Sequence, residues 1–288
     1  MLLKSLQMRH KGDIYKWLIP SVLLGSLLVE SSRAALFNLV DNNSLAQFDT
    51  ANQVNNFSWF VDGNNQLASE AFWFRIGNVG GEQSVHTLPI GVQGTTDGNF
   101  DGNPDTLFVR YLGAGFKIET KYTLAGGTPG SGSSDMGEQI SIVNLSASPL
   151  DFHFFEYADF NLSGGPDSAV FQNINTVDQS NPSFNLTETV VTPPASHREI
   201  AFFPVTLTKL NDGLPTTLSD TPLGVIVGPG DVTWAYQWDF LLQPGDTFII
   251  SKDKNIGIPP IPEPGIGALL SIGFGLLVSA SRKRGHSA

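Results

Sequence analysis

Apolar residues in the body of this chain recur at every second position, in short runs rich in Phe, Val, Ile and Thr, and almost no stretch carries them at helical spacing. Gly, Pro, Asn and Asp interrupt the runs every few positions. Strands are predicted over 70–76, 107–112, 115–124, 139–144, 150–162, 169–173, 184–191, 199–208, 224–227, 232–242 and 247–252. So many short strands predict a mainly β fold, a single antiparallel β-sandwich over 35–254, with a β-barrel as the alternative. In 232–240 the alternation puts Val232, Trp234, Tyr236, Trp238 and Phe240 on one face, predicted as core, and Thr233, Ala235, Gln237 and Asp239 on the other. In 150–160, Asp151, His153, Phe155, Tyr157 and Asp159 face one way, and Leu150, Phe152, Phe154, Ala158 and Phe160 the other. Glu156 falls among these apolar positions, so a buried partner is expected for it, Arg75 or Arg110. Polar loops are predicted over 126–137, 175–182 and 210–222, the first of them mobile.

Both ends break this pattern. Residues 1–34 carry Lys4, Arg9, Lys11 and Lys16, then an apolar run over 17–29, then Ser32, Arg33 and Ala34, the layout of a cleavable signal peptide. At the other end, 255–264 reads as a stiff Pro/Gly stalk that closes on Pro262-Glu263-Pro264. An uncharged stretch follows over 265–281, which as a transmembrane helix would cover about 25 Å at about 1.5 Å per residue. Arg282, Lys283 and Arg284 open the basic tail 282–288, and such a cluster tends to stay cytoplasmic. Motif, apolar helix and terminal basic cluster, in that order, resemble the PEP-CTERM sorting signal. The resemblance implies a processing partner of the exosortase type, transient anchoring in the inner membrane, and a final address at the cell surface or outside the cell, beside exopolysaccharide.

With the ends set aside, 35–264 holds 8 basic and 25 acidic residues, a net charge of −17 against −11 for the whole chain. A body this acidic repels phosphates, so nucleic acid is not an expected partner. There is no cysteine, hence no disulfide framework, thiolate metal site or cysteine nucleophile. Cohesion must come from the core.

Asp97, Asn99, Asp101, Asn103 and Asp105, with Gly102 in sixth place, resemble the front half of an EF-hand or dockerin-like calcium loop. Phe108 stands where the closing Glu would be, and the alternative is an Asp/Asn/Gly-rich turn between two strands. No nucleophile elbow, phosphate loop or His-Glu-x-x-His sequence is present, so no catalytic residue is assigned. The expected function is accordingly a non-catalytic surface or matrix module, associated with exopolysaccharide or other surface proteins, and not an enzyme. The alternative is a secreted carbohydrate-active enzyme that draws on the Asp151-to-Asp159 face for a carboxylate pair about 5–10 Å apart.

Overall fold

The computed structural model describes residues 36–52 and 55–259. The signal peptide, the Pro262-Glu263-Pro264 motif, the 265–281 helix and the Arg282, Lys283 and Arg284 cluster lie outside the described residues. The strands are β1 (Leu36–Asp41), β2 (Ser44–Asp49), β3 (Asn56–Val61), β4 (Asn64–Asn65), β5 (Leu67–Ile76) and β6 (Gln83–Ser84). Then come β7 (Ile90–Thr96), β8 (Thr106–Gly113), β9 (Phe116–Gly126), β10 (Ser134–Asn144), β11 (Leu150–Phe160) and β12 (Asp167–Asn173). The last are β13 (Thr176–Ser180), β14 (Asn185–Thr192), β15 (His197–Phe202), β16 (Ile226–Gly230), β17 (Val232–Leu242) and β18 (Thr247–Gly257), with one α-helix, α1 (Val205–Asn211), between β15 and β16. Among the described residues no helix is long and apolar enough to cross a membrane.

The chain is mainly β and forms two antiparallel sheets. One runs β1-β2-β3-β5-β11-β17-β15, with β4 and β6 attached to β3 and β5; the other runs β16-β12-β13-β14-β18-β10-β9-β8-β7. Their inner faces share one apolar core, to which β11 sends Phe152, Phe154, Ala158 and Phe160, and β17 sends Val232, Trp234, Tyr236 and Trp238, all at most 1 % exposed. This is consistent with the expected sandwich, and the aromatic face of 232–240 is core as predicted. Stacked rings tie the layers together: Phe74 on Phe152 at 5.9 Å between centroids, Phe152 on Phe240 at 5.5 Å, and Phe240 on Phe248 of the opposite sheet at 3.7 Å.

The structure differs from the sequence expectation in five places. The strand predicted over 199–208 stops at Phe202, because Pro204 lacks the N–H a sheet ladder needs, and the chain turns into α1 instead. The loop predicted over 175–182 contains β13, where Val177 and Gln179 alternate inward under a polar sequence, and the end of the 126–137 loop is the start of β10. The three strands β1 to β3 escape a hydrophobic scan because polar residues break their runs, with Asn38, Gln47 and Asp49 on the more open side and Asp41, Ser44, Asn56 and Ser58 at buried positions. Glu156 is buried, but its partner is Lys252 of β18; Arg75 pairs with Glu82 at 3.0 Å and Arg110 with Glu119 at 2.5 Å.

Phe152 touches rings on both neighbouring strands and on Phe116 of the opposite sheet. Phe152→Ala is therefore expected to destabilise the domain by about 3–5 kcal/mol, while Leu241→Ala on the outer face should change stability by less than about 0.5 kcal/mol. Urea unfolding followed by tryptophan fluorescence checks both.

Candidate active site

The faces of β5, β11, β17 and β15 that point away from the core carry the chemistry. Antiparallel register sets Arg75, His153 and Asp239 side by side in one row, and Trp73, Phe155, Gln237 and His197 in the next. The segment 203–222, with α1, lies across part of this face: Leu207, Leu210 and Leu218 pack on Ala71, Trp73, Phe155, Tyr157 and Ala235. Polar anchors hold it. Glu199 accepts from Thr206 at 2.6 Å, from Lys209 at 2.7 Å and from the Ser219 amide at 3.0 Å, and Glu82 accepts from the Thr216 amide at 2.8 Å.

At the edge of this cover two imidazoles share one carboxylate. His153 Nδ1 lies 2.5 Å from Asp239 Oδ1, and His197 Nε2 lies 3.5 Å from Asp239 Oδ2. Gln237 fixes that carboxylate by donating to both of its oxygens, at 2.8 and 3.0 Å, while its own Oε1 accepts from the Leu218 amide at 2.9 Å. The other ring nitrogen of His197, Nδ1, is 2.7 Å from Asp220 Oδ2, and Asp220 stands on the covering segment with a left-handed φ of 56°. An Asp tolerates that conformation better than most residues, and strain of this kind gathers at functional sites.

Because Asp239 can only accept, the proton between it and His153 sits on Nδ1, which leaves Nε2 as the bare, basic nitrogen. Nε2 has no hydrogen-bond partner and lies 3.8 Å from Asp151 Oδ1. His197 in its protonated form donates from Nδ1 to Asp220, while its Nε2–H lies 3.5 Å from Asp239 without a hydrogen bond. The arrangement supplies a base at His153 and an acid at His197, oriented by one Asp.

Of the face singled out in the sequence, Asp151 and His153 belong to this group, and Phe155 and Tyr157 are buried under the cover. Asp159 is at the far end, where burial and the neighbouring Asp231 push its carboxyl up to about 7. At roughly 3.4 Å per residue, Asp151 and Asp159 are about 27 Å apart, so they cannot act as a glycosidase pair. Sequence reasoning left out His197, Asp220, Gln237 and Asp239 as site residues. The polar alternation of 232–240 marks Gln237 and Asp239 as outward, but only strand register reveals what they face.

The acidic loop 97–105 joins β7 to β8. Asp97 accepts from the amides of Phe100, Asp101 and Gly102, Asn99 from that of Asp101, Asp101 from that of Asn103, and Asp105 from those of Gly98 and Asn99. Asn99 Nδ2 donates to Asp41 at 2.8 Å. These bonds build the turn whether or not a cation joins them.

No protein-family model and no curated protein matches the sequence. Solved structures do match in fold. A bacterial glucoamylase complexed with acarbose aligns at a TM-score of 0.53 and 9 % identity over 84 % of this chain, which spans only 36 % of the glucoamylase. Galactose 1-epimerase from Lactobacillus acidophilus aligns at 0.51 and 9 % identity, over 77 % of this chain and 95 % of its own. The Slr1438 protein from Synechocystis aligns at 0.50 and 11 %, over 79 % and 96 %. At such identities the likeness is one of fold. It nonetheless corrects the expectation of a non-catalytic matrix module that is not an enzyme, because the architecture is shared with proteins named as a galactose epimerase and a glucoamylase.

Asp239→Asn replaces an obligate acceptor by a group that can also donate, so the His153 proton is expected to redistribute between Nδ1 and Nε2. Imidazole nitrogen NMR on the wild type should show a dominant Nδ1–H form, and the variant a mixture.

Proposed function

We propose that the chain is an exported carbohydrate-active enzyme that carries out acid–base chemistry at the anomeric centre of a free sugar. The observation that carries this reading is the pair His153 and His197 on one carboxylate, with His153 Nε2 buried and without a hydrogen-bond partner. Interconversion of anomers asks for one base, one acid and no nucleophile. His153 Nε2 takes the proton of the anomeric hydroxyl, the bond from the anomeric carbon to the ring oxygen breaks, and His197 protonates that oxygen. Rotation about the bond next to the freed carbonyl and the reverse transfers yield the other anomer, with both histidines restored. The names of the fold neighbours, a galactose epimerase and a glucoamylase, favour a hexose as substrate.

The test is polarimetry on freshly dissolved α-galactose and α-glucose. The wild type should speed the approach to equilibrium, and His153→Ala should lose about 10²–10⁴-fold of the acceleration, as for removal of a general base. An inactive wild type, or an equally active His153→Ala, overturns the assignment; release of glucose from a maltooligosaccharide without anomer exchange moves the site to hydrolysis.

The address rests on the two ends of the chain. The signal peptide over 1–34 and the tail over 262–284 make the protein a substrate for an exosortase-type enzyme, held in the inner membrane during processing and released to the surface. The catalytic body is then one sandwich domain held off the bilayer. Changing Pro262, Glu263 and Pro264 to alanine should leave the folded, full-length chain in the inner membrane, and cell fractionation with immunoblotting reads the outcome. Normal amounts at the surface would reduce the tail to a plain anchor.

A further inference from the structure

Six ionisable side chains, none more than 3 % exposed, meet between the two sheets: Glu70 of β5 and Glu156 of β11 from one, Glu138 of β10, Glu188 of β14, and Lys252 and Lys254 of β18 from the other. Lys252 Nζ contacts Glu156 Oε1 and lies 2.6 Å from Glu138, 3.6 Å from Glu70 and 3.7 Å from Glu188. Lys254 Nζ contacts Glu70 Oε1 and lies 2.6 Å from Glu138 and 3.1 Å from both Glu156 and Glu188. Each ammonium thus touches all four carboxyl groups. The phenols of Tyr122 and Tyr236 face the same carboxyls, and Arg198 acts on Tyr236 from β15.

Fully ionised, this cluster carries four negative and two positive charges. A dry interior does not hold a net −2, since the desolvation of each unbalanced ion costs several kcal/mol. One oxygen each of Glu70, Glu156 and Glu188 has no donor within hydrogen-bond reach among the described residues. Glu70 and Glu138 nevertheless meet carboxyl to carboxyl, a contact that becomes a hydrogen bond only when one of them is protonated. Glu70, Glu138 and Glu156 also bring one oxygen each within 4.8 Å of one another, but the two ammoniums already contact all three carboxyls.

We propose that this interior cluster is a proton-binding site: in the folded domain near neutrality it holds two protons among its four carboxyls, and their release in mild alkali loosens the two sheets. The electrostatics agree with the geometry. Burial and the charge of Glu138 push the Glu70 carboxyl well above its usual range, and burial with the charge of Glu156 pushes Glu188 up to about 8. Burial works against ionisation of Glu138 as well, yet Lys252 and Lys254 hold it down at about 2, and the same two lysines lower Glu156. Two carboxyls stay acids and two stay carboxylates, which balances two ammoniums.

The sign follows. Glu188 is raised in the folded state, so its stabilisation is complete below about pH 4.5 and is lost as pH rises through about 8, and Glu70, raised as well, loses its own in the same direction. Glu138 is lowered, so its stabilisation is complete above about pH 4.5 and is lost toward about pH 2, and Glu156, lowered as well, follows in the same direction. The cluster is firmest in mild acid.

The test is urea unfolding of the full-length chain in detergent between about pH 5.5 and 7.5. Each proton held only by the folded state raises the unfolding constant about tenfold per pH unit, so the two together contribute about a hundredfold per unit. In E70Q/E188Q the neutral amides imitate the two acids, and that contribution should vanish while other groups keep theirs. E188Q alone should lose about tenfold per unit. K252M leaves one ammonium against four carboxyls and should steepen the dependence. An unchanged slope in both glutamine variants overturns the proposal. So does a wild-type slope abolished by millimolar calcium and restored by a chelator, because a bound dication would then supply the charge.

Discussion

The antiparallel register of β11 against β17 is the constraint on which the rest depends, since the pairing that sets Phe154 opposite Trp238 also sets His153 opposite Asp239. Side chains alternate between faces, so one alignment fixes the aromatic core and the outer polar row together. A slip of one residue would send the tryptophans outward and the histidine inward. The core therefore holds the candidate site in place: stacked rings along Phe74, Phe152 and Phe240 prevent the sliding that would separate imidazole from carboxylate.

Within that core the buried charges are the costly exception. Four Glu and two Lys occupy positions that alternation reserves for apolar groups, and a buried ionic network is seldom a gain over hydrophobic packing. What it adds here is specificity. Lys252 and Lys254 on one sheet find carboxyls on both, Glu138 and Glu188 beside them and Glu70 and Glu156 across the interface, so only one facing of the sheets satisfies all six groups. Apolar contacts tolerate a shift of the two layers; these contacts do not.

Much of the fold was legible because the strongest signal, the alternation of 232–242, belongs to a strand paired along both sides, by β11 and β15, and β17 has the bounds the pattern assigns. The signal weakened where polar residues sit at buried positions, as at Asp41, Ser44, Asn56 and Ser58 in β1 to β3, and where inward positions are charged, as at Glu156 and Lys254. A period shows which side a residue faces but not which strand lies beside it. For the same reason Asp239 was visible as an outward residue and His197 as a rare histidine, while the site they make with His153 was not. Their separation in sequence carries no trace of their contact.

Pro204 decides where that site is open. A further strand after Phe202 would have extended the β15 ladder and left the outer face of β11 and β17 bare, exposing Phe155, Tyr157 and Ala235. Proline ends the ladder instead, α1 lays Leu207 and Leu210 over those residues, and Glu199 fastens the returning chain through Lys209 and Ser219. The cover reaches one end of the row formed by Arg75, His153 and Asp239, where Arg75 donates to the Thr216 carbonyl at 3.3 Å, and at the other end Asp220 turns back to meet His197. The segment 203–222 thus does two jobs: it buries the apolar part of the outer face, and it delivers the second carboxylate to the pair of histidines at the boundary.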